Sequence, residues 1–500
     1  MAEDFGKTIA EAYAVEGDAL ELGLGKHDDA VDPEAVVRIP LATTNRHGLI
    51  AGATGTGKTK TLQILAEQLS AQGVPVFGAD MKGDLSGIAA PAPADGPAPK
   101  RMEELGRPFE PLGAPVEFLS LGGIGPGAPI RATVSDFGPQ LLAKILESND
   151  TQEQSLALVF RYADEKGLPL VDLADLRALL TFLDSEEGKA DLKGIGGVSS
   201  QTVGVILRAL VTLEDGGGTE FFGEPQFEIS DLMRTTPDGK GIVSLLELPA
   251  VQDKPRLFST VMMWLLAELF EQLPEVGDLP KPKIVFFFDE AHLLFADATE
   301  AFLESVVKTV RLVRSKGVGV YFVTQQPTDI PRDVLAQLGN RIQHALRAFT
   351  PEDADALRKT IRTYPKSEYY DLETLLTSLG IGEAAVTILS EEGVPTPVVH
   401  TRLRAPASSM DPFPGIDAAA SASPLAAKYG TRLERETARE LLERRLAPEP
   451  VEKPPLTVEK PKARKESAGE PVVDFLRSRQ GQRLQREVVR GVFGMLRKKL

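Results

Sequence analysis

The chain has 500 residues, of which 42% are hydrophobic and 26% charged, and its formal net charge at pH 7 is −16. This composition is that of an ordinary globular protein, and the length fits two to four domains or one large α/β core with insertions and a tail. The sequence contains no cysteine, which excludes disulfides and cysteine-based metal sites. The acidic balance argues against a generally basic nucleic-acid-binding surface, although a basic lining inside an assembled channel stays open.

The amino-terminal residues are acidic and lack the apolar core of a signal peptide. The longest apolar runs, Val261 to Ala267 and Ile284 to Phe288, are too short to span a bilayer. We therefore expect a cytoplasmic protein without a membrane partner.

Residues 1–45 are predicted to form a short β-rich segment, with candidate strands at Ala19 to Leu24 and Val36 to Leu41. A glycine-rich stretch from Gly52 to Thr59 then fits the pattern G-x-x-x-x-G-K-[ST] between an apolar strand and a helix. In such loops backbone N–H groups wrap phosphates, the lysine (here Lys58) reaches the β- and γ-phosphates, and the hydroxyl of the last residue can ligate Mg²⁺. The predicted nucleotide-binding residues are Gly52, Ala53, Thr54, Gly55, Thr56, Gly57, Lys58, Thr59 and Lys60.

A chance match in a glycine-rich chain is the alternative interpretation of this loop. The flanking strand and helix favour nucleotide binding, because they are the context that the mechanism requires. ATP and Mg²⁺ are accordingly the expected ligands.

A second apolar strand, Val74 to Ala79, ends in the polar turn formed by Asp80, Lys82, Gly83 and Asp84. Polar residues just past the carboxyl end of a strand are placed where α/β sheets bind ligands. A solvated turn explains the same residues equally well, so both interpretations stay open.

Residues 46–135 and 236–404 are predicted to form the two parts of an α/β core, with a mainly parallel central sheet. The intervening residues 136–235 have helical apolar spacing and are predicted to form a helical insertion. A buried strand is also predicted for Gly241 to Leu248.

A second stretch that bears on function begins at Ile284. Five consecutive apolar residues there suit a central strand that is buried on both faces. Asp289 and Glu290 follow at its end. In P-loop ATPases the first carboxylate holds Mg²⁺ and the second orients and deprotonates the attacking water, so we assign Asp289 to the metal and Glu290 to the catalytic base. His292 receives only a supporting role.

A helix predicted for Ala301 to Arg314 leads to a further buried strand, Val318 to Thr324, which is followed by Gln325. The Gln325 amide is expected beside the end of the preceding buried strand, where it can sense the γ-phosphate or hold the water. Arg311 and Arg314 are candidates for a cation that reaches a neighbouring subunit's nucleotide. A solvated helix face is the alternative for either arginine.

Three strings, at residues 52–59, 286–295 and 314–325, resemble those of the HerA-like helicase/translocase ATPases, and the likeness is greatest to the YjgR-type bacterial branch. The resemblance also takes in residues 221–225 and 339–351. It implies a RecA-like P-loop core, a homo-oligomeric, hexameric ring with nucleotide at subunit interfaces, and ATP-driven movement of double-stranded DNA for a nuclease or other protein partner. The positions implied are Lys58 and Thr59 for phosphates and Mg²⁺, Asp289 and Glu290 for the acidic pair, Gln325 for the sensor, and Arg314 for the arginine finger, with Arg341 and Arg347 as further interface cations.

The carboxyl-terminal part is richer in Ala, Pro and Ser. Residues 405–423 are predicted to be a linker, 424–446 a charged helix, 447–471 a second linker and 472–500 a basic amphipathic helix. The basic helix has an apolar stripe, for which docking on an acidic core is favoured over contact with nucleic acid.

The sequence therefore predicts an Mg²⁺-dependent ATPase with two open functions. In one, a ring moves DNA through its pore; in the other, ATP switches assembly or a protein partner and nucleic acid plays no part. A nucleoside-monophosphate kinase would use the same loop, but no acceptor site is found in the sequence.

Overall fold

The computed structural model describes residues 2–194, 196–277, 279–295 and 300–446. The linker predicted for 447–471 and the basic helix predicted for 472–500 lie outside the described residues. Within the described part, no helix combines the length and the apolar character needed to cross a bilayer.

The described residues form one twelve-stranded sheet. Its strands, numbered in chain order, are β1 (Ala19–His27), β2 (Ala30–Pro40), β3 (Gly48–Ala51), β4 (Val76–Asp80), β5 (Val116–Leu121), β6 (Ala128–Ile130), β7 (Val243–Glu247), β8 (Ile284–Phe288), β9 (Val318–Thr324), β10 (Asn340–Gln343), β11 (Glu383–Thr387) and β12 (Val399–Leu403).

The helices are α1 (Ala2–Ala12), α2 (Lys58–Ala71), α3 (Pro97–Glu104), α4 (Val134–Ile145), α5 (Asp150–Lys166), α6 (Leu173–Asp184), α7 (Glu186–Asp191), α8 (Ser200–Leu213), α9 (Thr219–Phe221), α10 (Pro255–Gln272), α11 (Glu300–Val313), α12 (Arg332–Leu335), α13 (Pro351–Ile361), α14 (Leu372–Ser378), α15 (Ile416–Ala422), α16 (Pro424–Tyr429) and α17 (Ala438–Leu446).

The sheet runs in the order β2-β1-β12-β11-β10-β3-β9-β8-β4-β7-β5-β6. The eight strands from β10 to β6 are parallel, whereas β11, β12, β1 and β2 extend the sheet with antiparallel pairings. The predicted α/β core with a mainly parallel sheet is therefore confirmed. The carboxyl ends of the parallel strands meet at one edge, which is where such sheets place their ligand contacts.

Strand β8 shows how the sheet divides the core into two layers. Phe286 and Phe288 pack into the apolar cluster on one face, and Val285 and Phe287 into the cluster on the other. Each is fully buried, and burial of such a side chain stabilises the fold by about 1.5–3 kcal/mol. Because both faces are covered, the strand is an uninterrupted apolar run rather than an alternating one.

Helices cover both faces. The face with Phe286 carries α4, α5, α6, α8, α10 and α11, whereas α1 and α2 cover the opposite face. Helices α4 to α9 span most of residues 136–235, where the sequence predicts a helical insertion.

The amino-terminal segment differs from the expectation of β structure alone, because helix α1 precedes β1 and β2. Phe5, Ile9 and Tyr13 follow at four-residue spacing and are buried against the sheet. The Tyr13 hydroxyl donates to the carbonyl oxygens of Val386 (3.0 Å) and Pro397 (2.8 Å). The segment is thus anchored on the antiparallel end of the sheet.

Residues 405–446, here called the return segment, also differ from the sequence prediction. The predicted linker at 405–423 is packed rather than free: Ser408 is fully buried and residues 416–422 form α15. The carboxylate of Glu67 on α2 accepts hydrogen bonds from the backbone N–H groups of Ala407 and Ser408 and from the Ser408 hydroxyl, at 2.8–3.1 Å. These contacts fix the beginning of the return segment on α2.

The charged helix predicted for 424–446 is interrupted between α16 and α17. In the gap the Arg432 guanidinium donates to the carbonyl oxygens of Thr219 and Glu220, and Arg435 forms an ion pair with Glu224. Between α16 and α17, side-chain contacts with the helical layer thus take the place of backbone hydrogen bonds within a helix. Beyond it, the N–H of Ala438 donates to the Pro169 carbonyl at 2.9 Å.

Candidate nucleotide and metal site

The glycine-rich loop lies at the carboxyl end of β3 and leads directly into α2. Gly55 and Gly57 have φ values of 79° and 113°, a region that favours glycine because it has no Cβ. Gly52 also has no room for a side chain, since a Cβ there would come 2.5 Å from the Cβ of His344. The loop thus turns sharply and exposes Thr54 and Gly55 at its tip.

Lys58 begins α2 and its side chain lies back along the loop. Its ammonium donates to the carbonyl oxygens of Gly52 (2.7 Å) and Ala53 (3.3 Å), and the residue is only 8% exposed. Burial lowers the pKa of Lys58, while the charges of Glu290 and Asp289 act in the opposite direction. The structure therefore brings the loop lysine and the predicted acidic pair within electrostatic range of each other.

Other residues support the loop from behind. The His344 Nε2 lies 2.9 Å from the Thr61 hydroxyl, the N–H of Ala53 donates to the Ala345 carbonyl, and the N–H of Gly382 donates to the Thr56 carbonyl. Burial, together with the nearby Lys58 charge, lowers the pKa of His344 to about 4, so this imidazole is neutral at pH 7. His344 belongs to no recognisable sequence motif, so its contact with the loop helix could not be predicted from the sequence.

Lys60, also predicted to bind nucleotide, points elsewhere in this structure. Its ammonium donates to the Met410 carbonyl of the return segment at 2.6 Å and to the Gln63 amide oxygen at 3.4 Å. It therefore ties α2 to the return segment rather than lining the inner side of the loop.

Carboxylates converge beside the loop at the ends of β4 and β8, which are adjacent parallel strands. One oxygen from each of Asp80, Asp84 and Asp289 lies within 4.8 Å of the others. The Thr59 hydroxyl donates to the Asp84 carboxylate at 3.3 Å. The two predicted metal residues, Thr59 and Asp289, therefore meet at one place, although they are distant in the sequence.

The donor set fits a hard divalent cation. Hydroxyl and carboxylate oxygens are the ligands that Mg²⁺ takes in proteins. Burial, reinforced by the Glu290 charge, raises the pKa of Asp289 to about 7, so the charged carboxylate is disfavoured here unless a cation is close to it. Asp80 is less available than the others, because its oxygens accept the backbone N–H groups of Lys82, Gly83 and Leu85.

Glu290 is held tightly at the end of β8. It adopts φ 46°, a left-handed conformation that is uncommon for a residue with a side chain, and it is 6% exposed. Its Oε1 pairs with the ammonium of Lys82, and its Oε2 lies 3.2 Å from His292 Nδ1. Strain of this kind collects at functional sites, where the surrounding structure enforces it.

Gln325 follows β9, and β9 lies between β3 and β8 in the sheet. Thr324 is the register partner of Ala51, the residue just before the loop. The exposed Gln325 side chain therefore starts between the glycine-rich loop and the acidic pair.

Arg314 and Arg311, two candidates for the arginine finger, lie away from the glycine-rich loop of their own chain. Arg314 is exposed just before the amino end of β9, at the edge of the sheet opposite the loop, and its charge acts on His47 at the start of β3. Arg311 lines a groove with Lys308 and Arg332. The structure does not bring Arg314 to the glycine-rich loop of its own chain, because parallel strands carry their two ends on opposite edges.

Two further arginines flank β10. The Arg341 guanidinium donates to the carbonyl oxygens of Leu338 (3.3 Å) and Thr363 (3.0 Å). Arg347 is exposed beyond the carboxyl end of β10, on the loop side of the sheet.

A buried carboxyl that sequence analysis did not single out extends the acidic cluster. Glu247 at the end of β7 is the register partner of Asp80 and is 3% exposed. Burial, together with the Asp80 charge, raises its pKa to about 8. In the sequence, Glu247 is recognisable only as an acidic residue at the end of an apolar strand. Acidic residues are common at such positions, because turns often follow.

A parallel sheet with a glycine-rich loop after one strand, an acidic pair two strands away and a further strand between them defines a RecA-like P-loop ATPase. The model of the family described as "Helicase HerA-like C-terminal" matches residues 26–493. The chain belongs to this family. A search of curated protein sequences gives no significant match.

Solved structures share the fold at low sequence identity. The plasmid coupling protein TrwB in complex with ADP and Mg²⁺ is 13% identical, with a TM-score of 0.52 over 81% of this chain and 94% of that chain. TrwB with the non-hydrolysable analogue ADPNP is 14% identical, with a TM-score of 0.51 over 81% and 95%. VirB4 of Thermoanaerobacter pseudethanolicus is 15% identical, with a TM-score of 0.50 over 78% and 97%.

Proposed function

We propose that this protein hydrolyses ATP with Mg²⁺ at the carboxyl edge of its sheet and couples hydrolysis to the movement of double-stranded DNA. The proposal of ATP hydrolysis rests on the convergence of four residues around one group of oxygen ligands: Lys58, Thr59, Asp289 and Glu290. The TrwB structures with ADP and Mg²⁺ and with ADPNP support this choice of ligands.

Each residue receives a role from its position. The backbone N–H groups of the loop and the ammonium of Lys58 bind the phosphates, and Thr59 and Asp289 hold the metal, with Asp84 beside them. A Mg²⁺ ion held there with ATP would offset negative charge on the phosphates. Glu290 orients the attacking water and accepts its proton, and the Gln325 amide holds that water or contacts the γ-phosphate.

We propose that the active form is a homo-oligomer, a hexameric ring, in the cytoplasm. Arg314 lies on the edge of the sheet opposite its own loop, so it serves as an arginine finger only at a neighbouring subunit's nucleotide. A cation in that position would offset charge that develops on the transferred phosphoryl group. Arg311, Arg341 and Arg347 are the alternatives for this finger.

DNA is proposed because the family is one of helicases. The net charge of −16 favours a second candidate, in which ATP switches a protein partner and nucleic acid is irrelevant. A nuclease or another protein is the partner in either case.

One measurement distinguishes the two candidate functions, the DNA motor and the protein switch. The ATPase rate of the purified chain is measured with and without double-stranded DNA at several salt concentrations, and its native mass is determined in solution with ADPNP. A motor predicts stimulation by DNA that weakens as salt rises, since phosphate contacts release counterions. A rate indifferent to DNA at every salt concentration would reject the motor and favour the protein switch.

A further inference from the structure

Lys82 lies in the turn after β4, and its ammonium is paired with the predicted catalytic base. It contacts Glu290 Oε1. The Lys82 side chain is 46% exposed, whereas that of Glu290 is 8% exposed. The lysine is thus the accessible partner of an otherwise enclosed carboxylate.

The backbone that carries Lys82 is firmly held. The Asp80 carboxylate accepts the N–H groups of Lys82 (3.1 Å), Gly83 (2.7 Å) and Leu85 (2.9 Å), and the Gln252 amide donates to the Met81 carbonyl. The lysine stem, by contrast, has four carbons and can swing its charge between partners. Because the backbone is fixed and the side chain is flexible, the Lys82 ammonium can reach more than one acceptor.

The second place is the phosphate-binding loop. Asp84, two residues after Lys82, accepts the hydroxyl of Thr59 at 3.3 Å, and the charge of Lys82 acts on the neighbouring Lys58. Burial alone would lower the pKa of Lys82, but its hydrogen bond to Glu290 and the charges of Glu290, Asp289 and Asp84 raise it. The turn that carries Lys82 therefore contacts the phosphate-binding loop through Asp84, while the Lys82 ammonium contacts Glu290.

We propose that Lys82 exchanges between two anionic partners, the Glu290 carboxylate and the terminal phosphate of ATP, and that this exchange frees Glu290 for its water. The inference rests on the proposed ATPase function and adds a positioning residue to it. A γ-phosphate next to Lys58 presents several charged oxygens, which compete with a single carboxylate oxygen for the ammonium. ADP has no γ-phosphate at that position and leaves Lys82 on Glu290.

The exchange makes the arrival of ATP, and not of ADP, the event that releases the base. While Lys82 donates to Oε1, that oxygen is occupied as a hydrogen-bond acceptor. Once the ammonium moves to phosphate, the same oxygen is available to a water in line with the γ-phosphate.

The test compares binding of ADPNP and ADP, by calorimetry with Mg²⁺, to the full chain and to K82M, which keeps most of the stem and removes the charge. We expect K82M to lose about tenfold in ADPNP affinity, with ADP affinity changed less than about twofold. K82R should restore most of the discrimination. K359M, at an exposed lysine on α13, is the matched control and should bind both nucleotides as the unaltered chain does.

Retained ADP binding by K82M also reports that the loop is folded. Equal losses for both nucleotides, or no loss for either, would overturn the role of Lys82. An unaltered chain that binds neither nucleotide would instead reject the proposed function.

Discussion

Asp80 and Glu247 face each other at register positions on the adjacent parallel strands β4 and β7, and both are almost completely buried. Asp80 is satisfied by three backbone N–H groups, whereas Glu247 Oε1 has no hydrogen-bond partner. Two carboxyl groups so close together in a buried place cannot both ionise without cost. Glu247 is the one that keeps its proton.

Glu247→Gln should therefore stabilise the protein at alkaline pH. The pKa of Glu247 rises from about 4.5 to about 8 on folding, so the folded state holds a proton that the unfolded state releases. Stability contributed by this group falls as pH rises from about 4.5 to about 8 and is then constant. We expect E247Q to gain about 2–4 kcal/mol in unfolding free energy at pH 8.5 and little at pH 4.5.

Denaturant unfolding across this pH range measures the effect. Glu103→Gln, at an exposed position on α3, is the control and should differ little from the unaltered chain at any pH. An E247Q variant less stable than the unaltered chain at pH 8.5 would contradict the assignment.

Glu290→Gln should leave ATP bound but uncleaved. The amide keeps the size of the side chain and removes the base, so we expect hydrolysis to fall by at least about 100-fold with ATP still retained on the protein. Nucleotide binding and phosphate release are measured on the same preparation. His292→Gln, next to the same carboxylate, should cost less than about tenfold, and hydrolysis by E290Q at the unaltered rate would refute Glu290 as the base.

Lys58→Ala should abolish hydrolysis through the loss of phosphate binding. The ammonium of Lys58 is buried in the loop, and its removal takes away the cation nearest the expected β- and γ-phosphates. The affinity for ADPNP and the ATPase rate are the readouts. Normal turnover by K58A would exclude this loop as the catalytic site.

Asp84→Asn should raise the Mg²⁺ requirement. Asp84 accepts the Thr59 hydroxyl and adds charge at the metal site, so we expect the Mg²⁺ concentration for half-maximal ATPase activity to rise about tenfold. The rate at saturating Mg²⁺ should be largely retained. Asp95→Asn, at an exposed position, provides the control, and an unchanged Mg²⁺ midpoint in D84N would show that Asp84 is only a turn residue.

The position of Arg314 predicts complementation between damaged subunits. R314A and K58A should each be inactive, yet a mixture should recover activity, because some interfaces then combine an intact loop with an intact arginine. A mixture of K58A and E290Q should recover none, since both lesions affect sites within one subunit. Mixed oligomers, confirmed by co-purification of two tags, that remain inactive would exclude Arg314 as the finger.

The local patterns that could be interpreted from sequence are those whose meaning depends on neighbours in the chain. The loop at Gly52–Thr59 and the buried strands β8 and β9 are of this kind, since a glycine-rich turn or an apolar run needs no distant partner to be identified. The order of β3, β9 and β8, by contrast, is seen only in the structure. This order places Gln325 between the two motifs.

What could not be predicted depends on contacts between distant residues. Lys82 and Glu290 are paired across 208 positions, and the Glu67 contacts with Ala407 and Ser408 span 340 or more. A proline- and serine-rich composition predicts a linker unless a buried acceptor such as Glu67 fixes it. Helix α1 differs from the prediction for another reason: its apolar residues have helical spacing, but the two strands that follow it dominate the pattern of residues 1–45.

The return segment has a mechanical consequence. Lys60, Gln63 and Glu67 lie along one side of α2 and all bond to residues 407–410, while the far end of the segment is bonded to the helical layer at Pro169. Because the chain is continuous between these bonds, a shift of α2, which begins with the phosphate-binding lysine, is transmitted along the return segment to the helical layer on the other face of the sheet.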